Sequence, residues 1–77
     1  MAIKNKEFRK ILNRSDFVKT CGRMSLNIDN GDYYLSVLYD YSNDVFVEFD
    51  IDSGDKETPT DEQLEITRSF FKNRIND

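Results

Sequence analysis

The dipeptide Asn30-Gly31 lies between two runs that alternate apolar and polar residues, and this arrangement constrains the fold more than any other feature of the chain. Upstream, RMSLNID places Met24, Leu26 and Ile28 on one side. Downstream, DYYLSVLYDY does the same with Tyr33, Leu35, Val37, Tyr39 and Tyr41. Alternation with a period of two marks a half-buried strand. Asn-Gly is the strongest short hairpin signal, because a type I′ turn needs positive φ at both central positions. A two-residue loop pairs Asp29 with Asp32, Ile28 with Tyr33, Leu26 with Leu35 and Met24 with Val37. Turn chemistry and apolar pattern then agree on one register.

A third run, DVFVEFDID, puts Val45, Val47, Phe49 and Ile51 on the core side. These positions and those of the preceding run are all odd-numbered, so parity demands an odd loop. Ser42, Asn43 and Asp44 supply it, with Asn43 or Asp44 taking the left-handed conformation.

Helical patterns flank the strands. From Ile3 to Asn13, Phe8, Ile11 and Leu12 share one face, and Lys6, Arg9, Lys10 and Arg14 the other. Residues 15–22 read two ways: a short turn capped by Ser15-Asp16 and ended by Gly22, or an extended segment. Near the C-terminus, Thr58 with Pro59, or Thr60 with Gln63 as a capping box, starts a second helix. Its acids cluster early and its bases late, as the helix dipole favours. Leu64, Phe71 and Ile75 form one apolar stripe, and Ile66 with Phe70 a second lobe, predicting contacts with both the sheet and the first helix. The predicted fold is therefore α+β. It is a single domain over residues 1–77, with order α-β-β-β-α. A three-stranded antiparallel meander, order 1-2-3, is packed on one face by the N- and C-terminal helices.

Composition limits what such a domain does. At 77 residues the chain buries roughly 60% of its unfolded surface, enough for one thin core and no deep cleft. It has no histidine, which removes Ser-His and Cys-His arrangements, and its single cysteine, Cys21, forms no internal disulfide. The glycines at 22, 31 and 54 match turns, not a phosphate loop. No signal-like or membrane-spanning apolar run is present, so a cytoplasmic location is expected. We expect no enzyme activity, no cofactor and no metal. The segment DIDSGDKE invites comparison with a calcium loop, but the register fails: counting from Asp50, the glycine position falls on Asp55.

Charge is strongly polarised. Residues 1–23 carry seven bases and two acids, residues 24–67 carry twelve acids and only Lys56, and the net charge is −4. Between Val45 and Gln63 there are seven carboxylates. Those on the helix start are explained by capping and the dipole. Those on the third strand are not. If both helices cover one sheet face, the other presents Tyr34, Leu38, Asp40, Phe46, Glu48, Asp50 and Asp52. Exposed aromatics ringed by acid suit a basic protein surface, and carboxylates repeated at strand spacing imitate phosphates. The alternative is an ordinary wet sheet face whose acids discourage edge pairing.

The helix–three strands–helix order resembles that of the double-stranded RNA-binding domain. That family carries a lysine-rich cluster at the start of its last helix, where this chain has TPTDEQLE, so no binding residue transfers. In size, acidity and element order the chain also loosely resembles small acidic phage-encoded inhibitors of host defence, of the anti-CRISPR and anti-restriction type. That resemblance implies a non-enzymatic inhibitor or adaptor whose partner is a larger host protein with a basic surface, in the host cytoplasm. Three alternatives remain: a nucleic-acid binder using the basic N-terminal helix, which the net charge disfavours; a homo-oligomeric accessory protein; and a toxin-immunity protein. No membrane partner is expected, and the chain is a monomer or a homodimer.

Overall fold

The computed structural model describes residues 3–29 and 31–75. Asn30, half of the predicted hairpin turn, lies outside the described residues. The order is α1 (Asn5–Asn13), β1 (Phe17–Thr20), β2 (Arg23–Asp29), β3 (Tyr34–Asp40), β4 (Val45–Asp52), β5 (Lys56–Glu57) and α2 (Asp61–Ile75). The strands form one antiparallel sheet in the order β1-β2-β3-β4-β5. The α+β class and meander topology are as expected, but the sheet has five strands where the sequence suggested three.

The first added strand resolves residues 15–22 as extended. The Ser15 hydroxyl donates back to the Leu12 carbonyl at 2.6 Å, so it closes α1 instead of capping a new turn. Phe17 then packs edge-on against Phe70, ring centroids 6.3 Å apart. Thr20 pairs with Arg23 across a two-residue turn, in which Gly22 supplies a φ of 86°. The second added strand, β5, follows the expected turn at Ser53-Gly54-Asp55 and pairs Lys56 with Asp52.

The β2–β3 register differs from the sequence expectation by two residues. Ile28 pairs with Leu35, Leu26 with Val37 and Met24 with Tyr39. A slip of two leaves every side chain on its predicted face, so the apolar pattern alone is blind to it. Charge separates the two registers. The shorter loop sets Asp29 against Asp32, and like charges directly opposite destabilise a ladder. The observed register sets Asp29 against Tyr34 and Arg23 against Asp40.

At the β3–β4 hairpin the loop has four residues, because Asp40 pairs with Val45. An even loop sets Tyr39 opposite Phe46, odd against even. The ladder then shifts between Leu38 and Tyr39, Val47 is the extra residue, and Val37 pairs with Phe49. The bulge restores the parity that the loop broke. Two sequence expectations are corrected here. Val45 and Val47 are not core residues but 52% exposed each. Phe46 does not face outward; it packs against the core.

Both helices contribute to one core on one face of the sheet. Phe8, Ile11 and Leu12 of α1 and Phe70 and Phe71 of α2 join Met24, Leu26, Leu35, Val37, Tyr39 and Ile51. On α2 the capping box belongs to Thr60: its N–H donates to Gln63 Oε1 at 2.9 Å, and Gln63 N–H donates to Thr60 Oγ1 at 3.1 Å. The two predicted apolar lobes are bridged by buried Gln63 and Thr67, and the Thr67 hydroxyl is satisfied by the Gln63 carbonyl at 2.7 Å. Ile66 and Phe70 border a groove with Arg9, Leu12 and Asn13 of α1, and Phe70 also meets Phe17 of β1, so α2 touches both the first helix and the sheet as expected.

Candidate protein-binding face

Pleating turns the remaining side chains of the sheet away from both helices. The register aligns them in four rows. Thr20, Arg23, Asp40 and Val45 form the first, and Val18, Ser25, Leu38 and Glu48 the second. Asn27, Ser36 and Asp50 form the third, and Asp29, Tyr34, Asp52 and Lys56 the fourth. Five carboxylates thus share this face with two bases, Arg23 and Lys56.

Of the seven residues the sequence assigned to this face, six are on it. Tyr34 is 39% exposed, Leu38 half-buried, and Asp40, Glu48, Asp50 and Asp52 are all reachable from solvent. Phe46 is absent, because the bulge rotates it to the core, where its ring centroid lies 5.0 Å from that of Tyr39 and 5.5 Å from that of Phe49. Sequence reasoning missed Val18, Val45 and Val47. Val18 lies in the segment that reads two ways, and parity alone turns the two β4 valines inward.

The acids differ in what they already do. Asp40 accepts from the Ser42 N–H at 3.0 Å, the Asn43 N–H at 3.2 Å and the Asn43 side-chain amide at 2.9 Å. The Asn43 amide above all holds its carboxyl below the usual carboxylate range; desolvation opposes this, and the two backbone donors and Arg23 add to it. Asp52 accepts from the Gly54 N–H at 2.8 Å, and Asp29 from the Gly31 N–H at 3.3 Å. These three acids each brace a turn. Glu48 and Asp50 stand on the strand itself, and Glu48 accepts from the Ser36 hydroxyl at 3.4 Å.

The centre of the face is hollow because its side chains are small. Ser25, Asn27 and Ser36 floor an open depression of about 430 Å³, walled by Val18 and Leu38 and rimmed by Asp16 and Glu48. Apolar walls under a carboxylate rim suit an arginine or lysine, whose stem buries while its charged head stays at the edge. The helix layer on the other side bears the exposed bases Lys6, Arg9, Lys10 and Arg14. Arg9 shares a groove with Asp61, Glu62 and Glu65 of α2, so acid stands beside that basic row.

No protein-family model, curated protein or solved structure matches the chain. No helix among the described residues is long and apolar enough to cross a membrane.

Proposed function

We propose that this protein is a non-enzymatic inhibitor or adaptor that docks its open sheet face on a basic surface of a larger protein. The observation that carries the reading is a sheet face left uncovered by both helices, where Asp16 and Glu48 rim a depression walled by Val18 and Leu38 and Asp50 follows in the next row of β4. A partner arginine or lysine enters the depression along its apolar walls and meets carboxylate at the rim. Along β4, Glu48, Asp50 and Asp52 repeat at about 6.6 Å, the spacing of alternate strand residues. A row of that kind suits a partner groove built to hold a phosphate backbone, and a nucleic-acid enzyme is the partner class this favours. Acids on the rim raise the association rate and make it salt-dependent.

The test reverses charge where no turn depends on it. The wild type and the double variant Glu48→Lys/Asp50→Lys are used to capture partners from the native host, with Asp52 kept because it closes the Ser53–Asp55 turn. A partner held by the wild type, released by moderate salt and lost by the variant supports the reading, and nucleic acid should then compete for that partner. Equal capture by both proteins refutes it.

A further inference from the structure

β1 is a free edge of the sheet, and of the devices that usually block further pairing it carries a length of four residues and one lysine but neither bulge nor proline. Its one charged side chain, Lys19, is turned to the helix side, where Nζ donates to the Ile75 carbonyl at 2.6 Å and lies 6.0 Å from the Tyr41 ring centroid. To the open face β1 presents Val18 and Thr20. Val18 is 62% exposed, more than any other large apolar side chain among the described residues. The opposite edge, β5, is two residues long and carries Lys56.

We propose that β1 pairs antiparallel with β1 of a second copy, with Val18 opposite Val18 on a two-fold axis, joining the two sheets into one. The pleat selects this register. Thr20 and Arg23 flank a two-residue turn, so they form a hydrogen-bonded pair, and so do Val18 and Ser25. The backbone groups of Val18 therefore point into the sheet, and those of Phe17 and Lys19 point out from its edge. A two-fold at Val18 sets Phe17 opposite Lys19 on both sides of the axis, giving about four backbone hydrogen bonds between copies. The Val18 pair is then of the non-hydrogen-bonded type, with Cα atoms about 4.5 Å apart and side chains in close contact.

Charge favours this edge contact over stacking of two open faces. Stacking would press two acidic rows together. Edge pairing instead leaves the Glu48–Asp50–Asp52 row three strands from β1, about 14 Å away at ~4.8 Å per strand. The rows of the two copies are then separated by far more than the Debye length of about 8 Å. The shortness of β5 ends the assembly at two, as a self-complementary two-fold interface allows. This inference stands on β1 alone and is independent of any partner for the acidic face.

Sedimentation equilibrium over a wide concentration range tests it. The wild type should pass from monomer to dimer, and Val18→Lys should remain monomeric. Lys19→Pro should also remain monomeric, because it removes an outward N–H that β2 does not use and that an edge strand can lose. In a Cys21→Ser background, Val18→Cys should cross-link on oxidation, since about 4.5 Å between Cα atoms lies within the disulfide range. Thr20→Cys, which faces Asp16 of the second copy, should not. A wild type that is monomeric throughout overturns the proposal. So does a dimer that survives both Val18→Lys and Lys19→Pro, or one that cross-links through position 20 instead of 18.

Discussion

The Tyr39 ring lies parallel to the Phe71 ring, with centroids 5.6 Å apart and planes inclined by 5°. Both side chains are fully buried, and the pair is where the sheet meets α2. The Tyr39 hydroxyl leaves the core and donates to Asp44 at the β3–β4 tip. Asp44 in turn holds α2, through Arg68 Nε at 3.0 Å and Lys72 Nζ at 3.8 Å. Removing the ring contact should cost far more than removing the hydroxyl. Phe71→Ala is expected to lose about 3–5 kcal/mol, the range for emptying a buried aromatic site. Against the low end of a typical total of about 5–15 kcal/mol, that leaves a barely folded domain. Tyr39→Phe keeps the stack and should move the urea midpoint much less. Equilibrium urea unfolding of both variants compares them directly.

Tyr39 and Asp44 set the pH limits of stability. Asp44 is held below the usual carboxylate range, first by the hydrogen bond from Tyr39, against some desolvation, and further by Lys72 and Arg68. A depressed folded value means its contribution is present above the ordinary aspartate value and lost as pH falls through the lowered one. Tyr39 is pushed up to about 12 from an ordinary 10.0, by burial first and by Asp44 second. Its contribution is whole below pH 10.0 and is lost as pH rises towards about 12. Unfolding midpoints against pH should therefore fall at both ends. Tyr39→Phe should remove the alkaline limb. Asp44→Asn should flatten the acid limb but not abolish it, because Asp40 is also depressed.

The parts of this fold that were legible in the sequence are those fixed by local chemistry. Thr60 and Gln63 marked the start of α2, and the alternation of Met24, Leu26, Leu35, Val37 and Tyr39 marked the core face. Register was less legible, since a slip of two preserves faces and only the Asp29–Asp32 clash argued against it. Parity failed between the loop and the bulge. Residues 48–52 kept their predicted sides, so Glu48, Asp50 and Asp52 were correctly placed on the open face, whereas Phe46 exchanged places with Val45. The cause is a tertiary demand: Phe46 fills space between Tyr39, Phe49 and the Arg68 guanidinium, which lies 5.5 Å from its ring centroid. No short-range signal announces that. β1 was ambiguous because four residues are too few for strand and helical turn to be told apart by period.

The exposure of Val47 makes it a sharp probe of the bulge. Val47→Thr keeps the branched shape at an exposed position and should change stability by no more than about 0.5 kcal/mol. Val37→Thr makes the same chemical change at a site 1% exposed and leaves a buried hydroxyl to satisfy, at about 1–3 kcal/mol. Without the bulge, Val47 would be a core residue and the two substitutions would cost alike. Thermal or urea unfolding of the pair measures the difference.

Gly22 and Gly31 both have positive φ, at 86° and 91°, yet their surroundings differ. A Cβ at Gly31 would meet nothing within 4 Å, whereas one at Gly22 would lie 3.1 Å from the Ser42 hydroxyl oxygen. Gly22 is also tied to the residue that follows β3: its N–H donates to the Tyr41 hydroxyl at 3.0 Å, and its carbonyl accepts from the Tyr41 N–H at 3.1 Å. The Tyr41 hydroxyl passes the link on to the Thr20 carbonyl at 3.1 Å. Gly31→Ala should therefore cost only the backbone term, about 1–2 kcal/mol for a residue with Cβ in the left-handed region. Gly22→Ala should cost that and more, because Ser42 has to move while the Tyr41 bonds hold the turn in place. The excess should shrink in a Gly22→Ala/Ser42→Gly double variant, where the obstructing hydroxyl is gone. A double-mutant cycle by urea unfolding reads this coupling directly. Because the strained turn closes the β1–β2 hairpin, the loss should appear first as faster amide exchange along β1.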